Sequence, residues 1–165
     1  MAQVGEGSRI RPTGPATVRA IRMENAEDPA LRGWVVLARA YHTIVHAVTR
    51  DATRYGLTLG QFAVLEVLYH KGPLPLGRIG SLLLVTAGNI TYVVDQLEKH
   101  SLVKRERHRD DRRMVSASLT AKGRALVAEI FPQHARFVAG LFDKLDPNEL
   151  AELRRLLKKL GKENA

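Results

Sequence analysis

The chain contains no cysteine among its 165 residues. This absence excludes disulfide bonds, a thiolate nucleophile and a thiol-based redox switch. No apolar run approaches the roughly 18 residues that a membrane span requires, and the N-terminus lacks the apolar core of a signal peptide. We therefore expect a cytoplasmic protein that does not associate with membranes.

The motifs of common enzyme classes are also absent. The sequence has no Gly-rich phosphate loop, no nucleophile elbow and no recognisable Ser, His and Asp arrangement. His42 and His46 stand four residues apart on a predicted helix, a spacing that can ligate zinc, but no acidic residue at matching spacing on that helix completes a site. We therefore predict no catalytic residues, no metal site and no cofactor.

Acidic residues are scarce relative to basic ones. The chain has 17 Asp and Glu against 26 Lys and Arg, a formal net charge of +9. A surplus of this size attracts polyanions. Residues 104–113 alone carry six Lys or Arg and three acids, whereas residues 1–30 balance at four of each. The surplus is therefore not a basic N-terminal tail, although a plain solvated surface is the alternative interpretation of such a charge run.

Hydrophobic periodicity predicts a mainly α-helical chain with a small β-hairpin wing. Asp28-Pro29 opens the first helix, Thr58 and Gln61 form a capping box at the second, and Thr86 and Thr120 cap later ones. Between the fourth and fifth helices, residues 114–119 alternate with period two, which predicts a strand pairing with residues around 102–108. The predicted helices span about residues 28–54, 58–72, 76–83, 87–100, 121–141 and 147–160.

This order is that of a winged helix-turn-helix with flanking helices. The flanking helices carry broad apolar stripes that the small middle module cannot cover, which argues for a partner subunit. We divide the chain into a flexible N-terminal extension (1–27), a dimerisation helix (28–56), a winged helix-turn-helix DNA-binding domain (57–120) and C-terminal dimerisation helices (121–165).

The fourth predicted helix has the two faces that reading DNA requires. Its inward stripe is apolar, while its outward face is rich in hydrogen-bonding groups, and an α-helix fits the width of the B-DNA major groove. Asn89 and Gln96 can pair with adenine edges, and the methyl group of Thr91 can touch a thymine methyl. Contacts to phosphates alone are the alternative for Thr86, Thr91 and Tyr92. A polar face on a surface helix is by itself a weak signal.

The arginine-rich hairpin tip strengthens the DNA hypothesis, because arginine is favoured in a narrow minor groove. Asp111 can fix the Arg113 guanidinium through a bidentate bond and aim it at the groove. A plain solvated turn is the alternative. The candidate DNA-binding residues are Thr86, Asn89, Thr91, Tyr92, Gln96, Lys99, Arg107, Arg109, Asp111, Arg112 and Arg113.

Residues 30–160 resemble the MarR family of bacterial transcriptional regulators. The segments that carry the resemblance are TLGQFAVL, VVDQLEKHSLVKR, DDRR and SLTAKG. IFPQH and ITYVVDQLEK look closest to the branch that responds to quinones and other phenolic compounds. The resemblance implies a homodimer that binds a pseudo-palindromic operator in double-stranded DNA, with the Thr86–Gln96 helix in the major groove and Arg113 in the minor groove. It also implies a bacterial or archaeal, nucleoid-associated protein.

One position departs from the family pattern. Ser101 stands where the family usually has a glycine that ends the reading helix in a left-handed conformation. A serine is strained there, so we expect an altered helix exit without loss of DNA binding.

Many family members release DNA when a small aromatic or phenolic molecule binds, and the resemblance extends that expectation to this chain. Such aromatic residues at helical spacing also fit a plain core, and this alternative stays open. The candidate effector-binding residues are Trp34, Tyr41, His42, Phe62, Tyr69 and His134. The predicted function is therefore a sequence-specific, ligand-responsive transcriptional repressor. The alternative is a winged-helix module for sequence-independent DNA compaction or protein docking.

Overall fold

The computed structural model of the chain describes residues 28–107 and 114–163. The predicted fold class is confirmed: the described residues are mostly helical and include a small antiparallel sheet. The helices are α1 (Pro29–Arg54), α2 (Leu59–Lys71), α3 (Leu76–Leu83), α4 (Ala87–Lys99), α5 (Ala121–Gly140) and α6 (Pro147–Glu163). The strands are β1 (Leu74–Pro75), β2 (Val103–Arg107) and β3 (Val115–Leu119).

The helices begin where side chains cap them. The Thr58 hydroxyl accepts a bond from the Gln61 N–H (3.2 Å), and the Gln61 side chain accepts one from the Thr58 N–H (2.9 Å), which confirms the predicted capping box. Asp146 and Glu149 exchange the same pair of bonds at the start of α6. Each cap satisfies N–H groups that have no partner within the helix. Gly161 does not end α6, which continues to Glu163.

Two compact units make up the chain, residues Met1–Val45 and His46–Ala165. In the first unit, the described residues form the N-terminal part of α1. Several large apolar side chains there are exposed, among them Trp34 (59%), Val36 (66%) and Tyr41 (68%).

The second unit contains the hydrophobic core. It is built mainly from α2, α3, α4, α5 and the sheet, and each fully buried aliphatic side chain contributes about 1.5–3 kcal/mol. Core side chains that are at most 3% exposed include Phe62, Val64, Leu65, Leu68, Ile79, Ile90, Val94, Leu97, Val103, Ala117, Val127 and Ile130. No described helix is by itself long and apolar enough to cross a membrane. Only α3 and α4 taken together reach that length and apolarity, and a bend of 111° separates these two helices.

The sheet has three strands in the order β1-β3-β2, one more than the predicted hairpin. β2 and β3 pair antiparallel from Val103 opposite Leu119 to Arg107 opposite Val115. The additional strand β1 places Leu74 opposite Ala117. A strand of two residues, the second of them proline, is too short to show alternating apolar and polar positions. Only the pairing with β3 therefore reveals this strand. Its position at the sheet edge accommodates the missing N–H of proline.

The exit of α4 is held by the start of α5. Ser101 adopts the left-handed conformation (φ +57°) that its position requires, so the helix exit is retained at a strain of about 1 kcal/mol. The Thr120 hydroxyl donates to the Ser101 carbonyl (2.7 Å) and accepts from the Gly123 N–H (3.0 Å). The Lys122 ammonium donates to the His100 carbonyl (3.0 Å). The segment Thr120–Gly123 therefore caps the start of α5 and also hydrogen-bonds to the carbonyl groups at the end of α4.

Gly123 allows this close approach. A Cβ atom at position 123 would overlap the Leu102 carbonyl oxygen and lie 2.9 Å from its carbonyl carbon. That oxygen also accepts a bond from the Thr120 N–H (3.1 Å). Any side chain at position 123 would therefore force α5 away from the segment that follows α4.

Candidate nucleic-acid interface

Helix α4 presents one buried and one exposed face. Ile90, Val94 and Leu97 are at most 2% exposed, so they anchor the helix in the core. On the opposite side Asn89 and Tyr92 are exposed, and Tyr92 reaches 65%. Among the other candidates on this helix, Thr86, Thr91 and Lys99 are exposed and Gln96 is half-buried. The structure therefore brings these six predicted residues onto or beside one helix surface.

The local bonds of the threonines limit what each can offer to DNA. The Thr91 hydroxyl donates to the Ala87 carbonyl (2.9 Å), so its methyl group is the part of the side chain without a bond. The Thr86 hydroxyl accepts from the Asn89 N–H (3.4 Å) as the N-cap of α4, which leaves its own hydrogen free to donate to a phosphate. The Thr91 methyl group and the Thr86 hydroxyl hydrogen are therefore the parts of these side chains that remain available for a contact.

The start of α4 is open and carries no acidic residue in its first turn. Ala87 and Gly88 are exposed, and a Cβ at Gly88 would meet no atom within 4 Å. The N-terminus of a helix has a partial positive charge and N–H groups without helical partners. This end of α4 is thus suited, in shape and charge, to approach a phosphate backbone.

Two acids farther along α4 pair with one arginine of β2. Arg105 forms ion pairs with Asp95 and with Glu98, its guanidinium lying 2.6 Å from the Glu98 carboxylate. The backbone N–H of Arg105 also donates to Glu98 (3.1 Å). The hydrogen bond from Arg105 holds the pKa of Glu98 below its ordinary value, against the opposing effect of burial. The same bond raises the pKa of Arg105.

Sequence reasoning missed this bridge between α4 and β2. The seven residues from Glu98 to Arg105 span a helix end, a turn and a strand, so neither helical nor strand periodicity predicts the contact. On its other face β2 carries Lys104 and Glu106, which pair with each other at 2.5 Å. The bridge reduces the negative charge of the α4 surface and connects that helix to the wing.

The wing itself is described only in part. Arg107 is exposed at the end of β2 and, with Glu98, Arg105 and Val115, lines a hollow of about 290 Å³. The other candidate wing residues, Arg109, Asp111, Arg112 and Arg113, lie outside the described residues, and their roles stay predictions.

Phe62 and His134, two of the candidate effector residues, lie together in the core of the second unit. Their ring centroids are 4.3 Å apart, and both side chains are buried. His134 Nδ1 lies 2.7 Å from the carboxylate of Asp51, which also contacts Arg54 at 3.4 Å. The buried Asp51 was not anticipated, because an acid on a predicted amphipathic helix gives no sign of a partner 83 positions away.

The remaining effector candidates are spread more widely. Tyr69 is half-buried and stacks loosely on Phe131, with the Arg124 guanidinium 5.9 Å from its ring. Trp34, Tyr41 and His42 are exposed on the first unit. Among the residues that the structure describes, no group of three or more His, Asp or Glu side chains is placed to hold a metal ion.

Sequence comparisons find the same family that the sequence motifs resemble. The profile of the MarR family matches residues 57–115. The HTH-type transcriptional regulator YkoM of Bacillus subtilis (strain 168) is 41% identical over 138 residues, which cover 84% of this chain and 90% of YkoM. The HTH-type transcriptional regulator MhqR of the same organism is 40% identical over 134 residues, covering 81% of this chain and 92% of MhqR.

Solved structures show the same architecture. Bordetella bronchiseptica BpsR, whose DNA binding is regulated by 6-hydroxynicotinic acid, superposes with a TM-score of 0.72 at 28% identity, covering 79% of this chain and 98% of that one. AbsC from Streptomyces coelicolor superposes with a TM-score of 0.76 at 24% identity, covering 82% and 94% of the two chains.

Proposed function

The chain belongs to the MarR family of DNA-binding transcriptional regulators, and we propose that it is a repressor that binds a pseudo-palindromic operator as a homodimer. The proposal depends on one observation: helix α4 is anchored by buried residues on one side and carries exposed polar residues on the other. Its two acids, Asp95 and Glu98, both pair with Arg105, and the exposed Lys99 of the same helix balances the remaining charge. Such a helix can lie against a polyanion without repelling it.

In this proposal, α4 enters the major groove. Asn89 and Gln96 read adenine edges, and the Thr91 methyl group contacts a thymine methyl. Thr86, Tyr92 and Lys99 contact phosphates, which fix the position of the helix without reading sequence. The wing supplies Arg107, Arg109, Arg112 and Arg113 to the minor groove, with Asp111 orienting Arg113.

The exposed apolar surface supports the homodimer. Trp34 and Tyr41 on α1 are more than half exposed. On α6, Leu150, Leu156 and Leu157 are 42–48% exposed, and residues of α6 together with Phe142 line an apolar hollow of about 540 Å³. Apolar surface of this kind favours burial against another subunit. We accordingly propose dimerisation regions at residues 28–56 and 121–165, on either side of a DNA-binding domain at 57–120.

We also propose that a small aromatic or phenolic molecule releases the operator, by analogy with BpsR, whose DNA binding is regulated by 6-hydroxynicotinic acid. Of the candidate effector residues, Phe62 and His134 lie close together, both buried in the core. We place this activity in the cytoplasm, on the nucleoid. A coupling of about 1–3 kcal/mol between effector and operator is typical of such regulation.

Selection of bound fragments from a random pool of duplex DNA tests the proposal. We expect a pseudo-palindromic consensus, whose half-site spacing reports the dimer geometry. On the selected operator, Arg113→Ala should lower the slope of log affinity against log salt by about one unit per subunit. Lys144→Ala removes an exposed charge from the segment between α5 and α6 and should leave that slope unchanged. A pool that yields no enriched sequence would support DNA compaction or protein docking instead.

Sizing and ligand titration test the two remaining parts. The full chain should elute as a dimer at low protein concentration, and a stable monomer would contradict the proposed regions. A panel of phenols and quinones should include compounds that weaken operator binding. If none of a broad aromatic panel changes the affinity, the effector proposal is wrong.

A further inference from the structure

The turn between α3 and α4 carries an apolar side chain that the fold does not use. Leu84 is 92% exposed, the highest value among the exposed large apolar residues of the described ranges. It also has a left-handed backbone (φ +54°, ψ +39°), which glycine adopts readily and a leucine adopts only with strain. The residue therefore carries two unfavourable features, and burial within the described chain compensates for neither.

The left-handed conformation is imposed by packing around the turn. The backbone N–H groups of Leu84 and Val85 both point to the carbonyl of Gly80, and the bond from Val85 is 3.0 Å long. A Cβ at Gly80 would lie 3.3 Å from the Val85 carbonyl oxygen and 3.6 Å from the side chain of Ile90. The turn is thus pressed closely against α3 and α4. Its backbone geometry does not depend on the leucine side chain.

Leu84 lies next to the proposed DNA-facing end of α4. Thr86, the N-cap of that helix, is two residues further along the chain. Every residue from Leu84 to Asn89 is exposed, and none is acidic. A side chain at this position is therefore next to the helix end that approaches the duplex in the proposed function.

We propose that Leu84 is an apolar DNA contact that increases affinity for the operator. This inference rests on the proposed function. The surfaces of DNA that an isolated leucine can cover are the thymine methyl group, which is the apolar mark of the major groove, and the face of a deoxyribose. The strain at Leu84 is then retained because the side chain is buried on binding, in line with the concentration of backbone strain at functional sites.

Two variants separate affinity from stability. Leu84→Ala removes most of the side chain and keeps the strain, whereas Leu84→Gly removes the side chain and relieves the strain. We expect both variants to bind the selected operator more weakly than the wild type, by about tenfold for each subunit and so about a hundredfold for a dimer that loses two buried leucines. We also expect Leu84→Gly to be the more stable of the two in urea. Ser101→Gly relieves the second left-handed non-glycine residue of the described ranges without removing an apolar group and should leave operator affinity unchanged.

Substitution in the DNA identifies the surface that is contacted. Replacing each operator thymine by uracil removes one methyl group at a time. If Leu84 covers a thymine methyl, one such replacement weakens the wild type several-fold and has no effect on Leu84→Gly. If Leu84 covers a deoxyribose, no uracil replacement removes the difference between the two proteins. Either result supports the inference and assigns the contact.

The inference and the proposed function fail in different ways. A wild-type protein without sequence preference would overturn the proposed function and this inference together. A selective wild type whose Ala and Gly variants bind the operator with unchanged affinity would overturn the inference alone. A change in the dimer content of the variants, measured by sizing, would assign Leu84 to contact between copies of the chain and would also overturn it.

Discussion

Gly123→Ala is the substitution for which the structure makes the sharpest stability prediction. The added methyl group would overlap the Leu102 carbonyl oxygen. That oxygen accepts a bond from the Thr120 N–H (3.1 Å), so it cannot turn away without losing this bond. Overpacking in a buried position costs about 1–3 kcal/mol, and a weakened hydrogen bond about 1 kcal/mol more. Alanine is favoured over glycine within a helix by about 1 kcal/mol. We therefore expect a net loss of about 1–3 kcal/mol in the free energy of unfolding.

Urea denaturation followed by circular dichroism measures this loss. The midpoint should fall while the slope stays constant, since the surface exposed on unfolding is unchanged. All variants are compared at one protein concentration because the proposed dimerisation would make the midpoint concentration-dependent. Gly77→Ala is the matched control: a Cβ at that helical glycine meets no atom within 4 Å, so its stability should be unchanged or slightly higher. If Gly123→Ala is as stable as Gly77→Ala, the close approach of α5 to Leu102 is refuted.

Three further substitutions test other contacts. His134→Ala leaves the buried carboxylate of Asp51 without its main partner and should lower the free energy of unfolding by about 3 kcal/mol; a loss under about 1 kcal/mol in urea would contradict the pairing. Thr120→Val keeps the shape of the side chain but removes the cap of α5 and the bond to Ser101. Urea denaturation should therefore show a loss of about 1–2 kcal/mol in the free energy of unfolding. A stability equal to that of the wild type would rule out both bonds. Because Arg105 holds the pKa of Glu98 below 4.5, the contribution of Glu98 is complete above pH 4.5 and is lost as the pH falls through the lowered pKa. The stability difference between wild type and Glu98→Gln should therefore be largest near neutral pH and shrink in acid, and a difference that is the same from pH 7 to pH 3 would argue against the bond.

Local rules made the helices and their caps predictable. The capping box of Thr58 and Gln61 depends on side chains three residues apart, and the stripe of α4 on a spacing of three and four. The candidate surface of α4 follows from the same periodicity, because burying Ile90 and Val94 turns Asn89 and Thr91 outward. These parts of the fold and site could be predicted because they involve neighbours in the chain.

The missed contacts join distant parts of the chain. Asp51 meets His134, Glu98 meets Arg105, and β1 is defined only by its pairing with β3. Each depends on how helices and strands pack, and no local pattern encodes a partner from another element. The strain at Leu84 was missed for a similar reason, since the approach of the turn to Gly80 sets its backbone.

By itself, the sequence determined the order and type of the elements, the polar surface of α4 and the similarity to a family, because periodicity and capping act over a few residues. Tertiary structure alone decided which arginine pairs with the acids of α4, which acid is buried, and why position 123 excludes a side chain. These outcomes depend on distances between elements, and such distances exist only once the core has packed.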